Sequence, residues 1–136
     1  MTGMIEEKTM KNTMTILLIA GLLFTATPIL TAGDNDNARL ISALKAENIG
    51  WRVDAAWLLG EASEAEAVKP LIDVLKNDDN SSARISAAVA LAKIGDMTAL
   101  NALKKAAKYD RNKTVRTVAI GAYHELKKLD ERLAAN

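Results

Sequence analysis

Residues 83–96 read Ala83-Arg84-Ile85-Ser86-Ala87-Ala88-Val89-Ala90-Leu91-Ala92-Lys93-Ile94-Gly95-Asp96. Within them Ala87, Ala90, Leu91 and Ile94 stand at i, i+3, i+4 and i+7, which is the apolar spacing of one helix face and not of a strand. Gly95 is the residue type that ends a helix in a left-handed turn, and Asp96 is one that caps the next helix. The pattern recurs at a distance of 32 residues in both directions, as Trp51-Arg52-Val53-Asp54-Ala55-Ala56-Trp57-Leu58-Leu59 and as Val115-Arg116-Thr117-Val118-Ala119-Ile120-Gly121-Ala122-Tyr123. Arg52, Arg84 and Arg116 fall in one register.

The segments in front of these copies also repeat. Val68, Leu71, Ile72 and Leu75 return 32 residues later as Leu100, Leu103, Lys104 and Ala107, and an earlier copy, Leu40-Ile41-Ser42-Ala43-Leu44-Lys45, fits with a following loop one residue shorter. The chain is therefore expected to be all-α, with helices near 36–47, 50–62, 65–76, 82–94, 97–108 and 113–128 and a frayed tail. These pair into three hairpins at about 37–63, 64–95 and 96–129 within a region spanning 34–136. One helical pair cannot bury its own apolar side, so the hairpins are expected to stack as a short α-solenoid. Asn77-Asp78-Asp79-Asn80-Ser81 reads as a turn that closes on a cap. Ser63 with Glu66 reads as a capping box. Pro70, early in its helix, predicts one missing backbone bond and a mild kink.

Composition agrees with packed helices. Apolar residues make up 49% of the chain, yet aromatic residues only 4%, so the core must come from Ala, Leu, Ile and Val. Eighteen basic and seventeen acidic residues leave a formal charge of +1, without the cationic field that nucleic acid requires, so nucleic acid is excluded as a partner. No cysteine is present, which removes disulfides, thiol nucleophiles and thiolate metal sites.

Ahead of the repeats, Met14 to Ala32 reads MTILLIAGLLFTATPILTA, nineteen residues without a charge. Lys8 and Lys11 precede it, Pro28 lies near its end, and the small residues Thr31, Ala32 and Gly33 lead into the polar run Asp34 to Asn37. That order is the pattern of a secretory signal peptide over residues 1–33. Translation from Met10 would give a cleaner leader, free of Glu6 and Glu7. The competing reading is an uncleaved membrane anchor over 14–32. Both place the remainder outside the cytoplasm, periplasmic or secreted.

The run ARISAAVALAKIGD from Ala83 to Asp96 resembles the HEAT-like repeat family, in particular the short form named after phycobilisome lyases. The likeness covers roughly residues 37–129 and departs at the end units, with Ala62-Ser63-Glu64 and Leu126-Lys127-Lys128 where the middle unit has Ile94-Gly95-Asp96. The resemblance implies a surface presented to other proteins. It also implies a ladder of Asp and Arg: Asp78 precedes Arg84 by six residues and Asp110 precedes Arg116 by six, while the first unit offers Glu47 before Arg52. A carboxylate in such a ladder reaches the planar guanidinium of its own or the next unit, a structural role.

Catalysis finds little to work with. His124 is the single histidine, and neither a thiol nor a glycine-rich phosphate loop accompanies it, so no catalytic, cofactor-binding or metal site is expected. Glu61, Glu64 and Glu66 read as solvated helix-end residues. Trp51, in register with Ala83 and Val115, is expected in the core. Val53 and Trp57 stand four apart, off the Ala and Leu stripe, with Ile85 and Val89 in register behind them. If the second helices line the inner curve of the stack, these four form an apolar patch around an aromatic anchor, suited to a protein or peptide partner. Three function classes follow: an exported protein-binding scaffold, an accessory or regulatory subunit of an enzyme, and a self-assembling structural element.

Overall fold

The computed structural model describes residues 34–136. Among them the regular structure is helical throughout: α1 Asp34–Ala43, α2 Ile49–Glu61, α3 Val68–Asn77, α4 Ser81–Ile94, α5 Leu100–Tyr109 and α6 Lys113–Ala134, with 3-10 turns at Ala65–Ala67 and Met97–Ala99 leading into α3 and α5. Packing follows the period of the sequence. The second helices form one layer, α2 on α4 and α4 on α6. The first helices form the other, where α3 touches α5, and within units α3 lies on α4 and α5 on α6. The chain is a short α-solenoid of three helical hairpins.

Residues at equivalent positions fill the space between the layers. Leu59, Leu71, Leu75, Leu91, Leu103, Leu126 and Val115 are fully buried, and Leu44, just past the end of α1, is buried with them. Each leucine so buried stabilises by about 1.5–3 kcal/mol relative to an exposed one. Leu40 and Ile41 of α1 pack against the same core. Stacking of one unit on the next is close because small residues face one another: Ala56, Ala88 and Ala90 are buried. Gly60 sits so near the backbone of Ala90 that a Cβ there would lie 2.8 Å from the Ala90 Cα. Across the same junction the Ser86 hydroxyl donates to the Val53 carbonyl at 2.9 Å.

A capping asparagine recurs with the repeat. Asn48, Asn80 and Asn112 precede α2, α4 and α6, and their side chains accept from Gly50 and Trp51, from Ser82, and from Thr114 and Val115 respectively. Each satisfies helix-start amides that otherwise have no acceptor. The 3-10 turns are capped by Glu64 and Asp96.

Ser63 does not cap; the expected capping box is absent. It is instead the residue of positive φ, at 51°, in the register where Gly95 has φ of 77°. Behind it the Glu64 amide donates to the Leu59 carbonyl at 3.1 Å, the closing bond of a helix C-terminal turn. A side chain in this left-handed region costs about 1 kcal/mol that glycine avoids. Ser63→Gly is therefore expected to stabilise the fold by about 1 kcal/mol, or roughly 4–8 °C in Tm for a domain of this size. Thermal and urea unfolding followed by circular dichroism check it; an unchanged or lowered midpoint would mean that the turn carries no strain.

Two further details differ from expectation. Pro70 is the third residue of α3, in the first turn, where amides have no acceptor inside the helix itself, so the ring costs the helix none of its own bonds. The tail does not fray at 128, since α6 continues to Ala134. Lys127-Lys128 stands where the middle unit has Gly95-Asp96, so nothing ends the helix there. Leu129 packs on the core, while Lys128 pairs with Glu125 at 3.2 Å and Lys127 with Glu131 at 3.7 Å along the same helix. No described helix is long and apolar enough to cross a membrane. The expected signal peptide at 1–33, or anchor at 14–32, lies outside the described residues.

Candidate functional site

Two sets of side chains are organised by the stack, one between units and one on the outer face of the second-helix layer. Between units, Arg52 donates from Nε to Asp78 Oδ2 at 2.8 Å and from Nη2 to Asp78 Oδ1 at 3.1 Å. Arg84 makes the same fork to Asp110, 2.9 Å on both arms. The third guanidinium nitrogen points back into its own unit: Nη1 of Arg52 donates to the Ala46 and Glu47 carbonyls, and Nη1 of Arg84 to those of Asp78 and Asp79. Each arginine thus ties its own hairpin turn to the carboxylate of the following unit. The carboxylates are held in turn, since Asp78 Oδ1 accepts the Asn80 amide and Asp110 Oδ1 the Asn112 amide, both at 2.8 Å.

Glu47 is a correction. Its carbonyl accepts from Arg52, and no hydrogen bond involves its carboxylate among the described residues. The bonds of Nη1 place Ala46, not Glu47, in the register of Asp78 and Asp110. The reason is positional: a ladder carboxylate serves the arginine of the unit before it, and no described unit precedes the first. Arg116 continues the series with one side-chain bond among the described residues, Nη1 to the Asp110 carbonyl at 2.7 Å.

Burial concentrates at the middle rung. The Arg84 side chain is 3% exposed and that of Asp110 8%. The bond to Asp110 raises the Arg84 pKa, against the lowering effect of burial. For Asp110, burial alone would push the carboxyl up. The bond from Arg84, the Asn112 amide and the charges of Arg84 and Arg111 outweigh it, and its pKa is lowered. The two side chains satisfy one another with a bidentate, charge-assisted pair, a structural arrangement.

On the outer face, Ala55 and Leu59 point to the core, so Trp57, about 200° around the helix from either, points away from it. Trp57 is 52% exposed and Val89 37%, while their registry partner Gly121 has open space where a side chain would stand. Lys93 lies over the Trp57 ring, 5.9 Å from its centroid, and pairs with Glu61. A shallow, mainly apolar hollow beside it is lined by Val89, Ala92, Lys93, Val118, Ala122 and Glu125. The four residues expected to form one patch therefore divide. Trp57 and Val89 lie on the surface, whereas Val53 and Ile85 are partly buried and pack against the core. Ala92, Val118 and Ala122, partly buried or buried at the junction of α4 and α6, form the floor of the hollow and were not singled out in the sequence.

Trp51 is a second correction. Its registry partners Ala83 and Val115 are fully buried, yet Trp51 is 66% exposed. Those partners face the preceding unit, and Trp51 has none among the described residues. His124 is exposed, its ring edge-on to Tyr123 with centroids 5.5 Å apart.

A search of curated proteins found no match to this chain. A family model described as HEAT repeats matches residues 37–123, more than half of the sequence, from the first turn of α1 to the middle of α6. With helical hairpins repeating every 32 residues and tied by bidentate rungs, the chain belongs to the HEAT repeat family.

Proposed function

We propose that the chain is a protein-binding scaffold working outside the cytoplasm, and that its contact face is the outer surface of α2, α4 and α6 centred on Trp57. The observation that carries the reading is that Trp57, more than half exposed, stands with Val89 beside an apolar hollow on one face. Exposed tryptophans of this kind supply much of the affinity at protein interfaces, where truncation to alanine costs about 2 kcal/mol or more. Lys93 restricts the ring by stacking on it, so less side-chain freedom is lost on binding. The uncharged run at 14–32 supports export. The finer likeness to the phycobilisome-lyase form bears on the surface it presents, since the sequence holds a single histidine and no cysteine to carry lyase chemistry.

Crosslinking in the native host, with mass spectrometry of the captured proteins, supplies the partner. Calorimetry with that partner then tests the face. Trp57→Ala is expected to weaken binding at least about tenfold with an unchanged helical signal, while Trp51→Ala is expected to bind as the parent does. Equal affinity for Trp57→Ala and the parent chain would reject this face.

A further inference from the structure

The two inner rungs show what a ladder arginine takes, and the outermost arginine lacks it. Arg52 and Arg84 each use Nη1 to grip carbonyls of their own turn and offer the Nε and Nη2 edge to an aspartate of the next unit. Arg116 is gripped in the same way, Nη1 to the Asp110 carbonyl, but among the described residues its Nε and Nη2 have no acceptor. We propose that this edge of Arg116 binds a carboxylate supplied by an acidic turn of a partner protein docking on the C-terminal end of the stack.

Three features narrow the occupant. The guanidinium is already oriented by its bond to the turn, so a planar carboxylate meets two parallel donors without first ordering the side chain. Lys113, on the same turn, adds positive charge, while Arg111 is turned to Asp79 at 3.6 Å and the Asp110 carboxylate is engaged by Arg84. Finally, another unit or a second copy of the chain cannot seat there as the inner units do. The helix face that carries Arg52, Ala56 and Gly60, then Arg84, Ala88 and Ala92, ends as Arg116, Ile120 and His124. Ile120 puts a branched four-carbon side chain where Ala56 and Ala88 let the next unit close over them. The equivalent place holds only Gly60 and Ala92 at the two inner junctions, and at Gly60 a single added carbon would already meet the neighbouring backbone at 2.8 Å, so an imidazole there keeps a repeating unit from closing as the inner ones do. Arg116 lies eight residues before His124, about 12 Å along the helix, and stays open to a narrow segment. Both intramolecular examples present the aspartate in an Asp-x-Asn turn, Asp78 to Asn80 and Asp110 to Asn112, and that is the chemistry expected of the partner.

The test uses the full chain labelled with nitrogen-15 and observes the arginine Nε–H resonances. The probe is the blocked peptide Asp-Asp-Asn-Ser, the sequence of residues 78–81, titrated at constant ionic strength, with Asn-Asp-Asn-Ser as control. The Arg116 resonance, identified by its loss in Arg116→Lys, is expected to move saturably, with a Kd on the order of millimolar for so short a probe. Arg52 and Arg84 are expected to stay still, and the control peptide to bind about tenfold more weakly. Three results would overturn the proposal: no movement of Arg116, equal movement with the control, or a shift with protein concentration alone, which would assign the edge to a second copy. Trp57→Ala is expected to leave the titration unchanged, so failure here and failure of the outer-face reading are separable.

Discussion

Arg84→Ala is expected to lower the stability of the fold by roughly 3–5 kcal/mol, the cost of breaking a buried ion pair from one side. The substitution removes both arms to Asp110 and the two bonds to the Asp78 and Asp79 carbonyls. It leaves an ionised aspartate in a site where its side chain is 8% exposed. A domain of this size has about 5–15 kcal/mol in all, so the variant should be marginal at room temperature. Arg52→Ala should cost less, because that rung is more open to water, and Arg116→Ala least of the three. Replacing both members of the middle pair, as in Arg84→Met with Asp110→Leu, should recover part of the loss, since no charge then remains unpaired. Urea midpoints for the four proteins give the comparison. A loss for Arg84→Ala no larger than that for Arg116→Ala would show that the rung is ornamental.

The same pair sets an acid limb. Asp110 has a lowered pKa in the folded state, so its contribution is complete above the unfolded value of about 3.9 and disappears as pH falls through the folded value. The stability gap between the parent and Asp110→Asn is therefore expected to be constant near neutrality and to narrow below about pH 4.

Gly60→Val is expected to be comparably damaging, and Gly60→Ala already harmful by about 1–3 kcal/mol. In an isolated helix the alanine would help by about 1 kcal/mol. Here its Cβ would fall 2.8 Å from the Ala90 Cα and 3.0 Å from the Ala90 Cβ. The first of these is backbone, so relief requires α2 and α4 to move apart and loosens the junction that the Ser86 bond to Val53 also closes. Gly121 provides the internal control. Nothing lies within 4 Å of a Cβ placed there, so Gly121→Ala should show the propensity gain alone, up to about 1 kcal/mol of stabilisation. Opposite signs for two glycine-to-alanine changes on equivalent helices are the expected signature. If Gly60→Ala proved as stable as the parent, the two helices could not approach as closely as described.

Much of the architecture was readable in one dimension because it is made of local rules applied three times. Helical spacing, the turn at 77–81 and the Gly95-Asp96 stop depend on residues within a few positions of one another, and the 32-residue period repeats them. The capping asparagines at 48, 80 and 112 obey the same rule and could have been found by asking which polar residues recur with the arginines.

What sequence could not assign depends on whether a unit has a neighbour. Trp51 and Ala83 occupy one register, and so do Ala88 and Ile120, yet one of each pair is covered and the other exposed, because covering comes from the adjoining hairpin. The choice among ladder carboxylates has the same origin: Asp78 reaches back to Arg52 across a unit boundary, a distance of 26 residues, and not to the Arg84 six positions ahead. Trp57 also needed the fold, since its helix face becomes a surface only when the layer of first helices takes the opposite one. Periodicity along the chain determines which residues share a helix face; only the stacked hairpins decide which faces meet, because burial and bidentate pairing are set by distances between units and not by spacing within one.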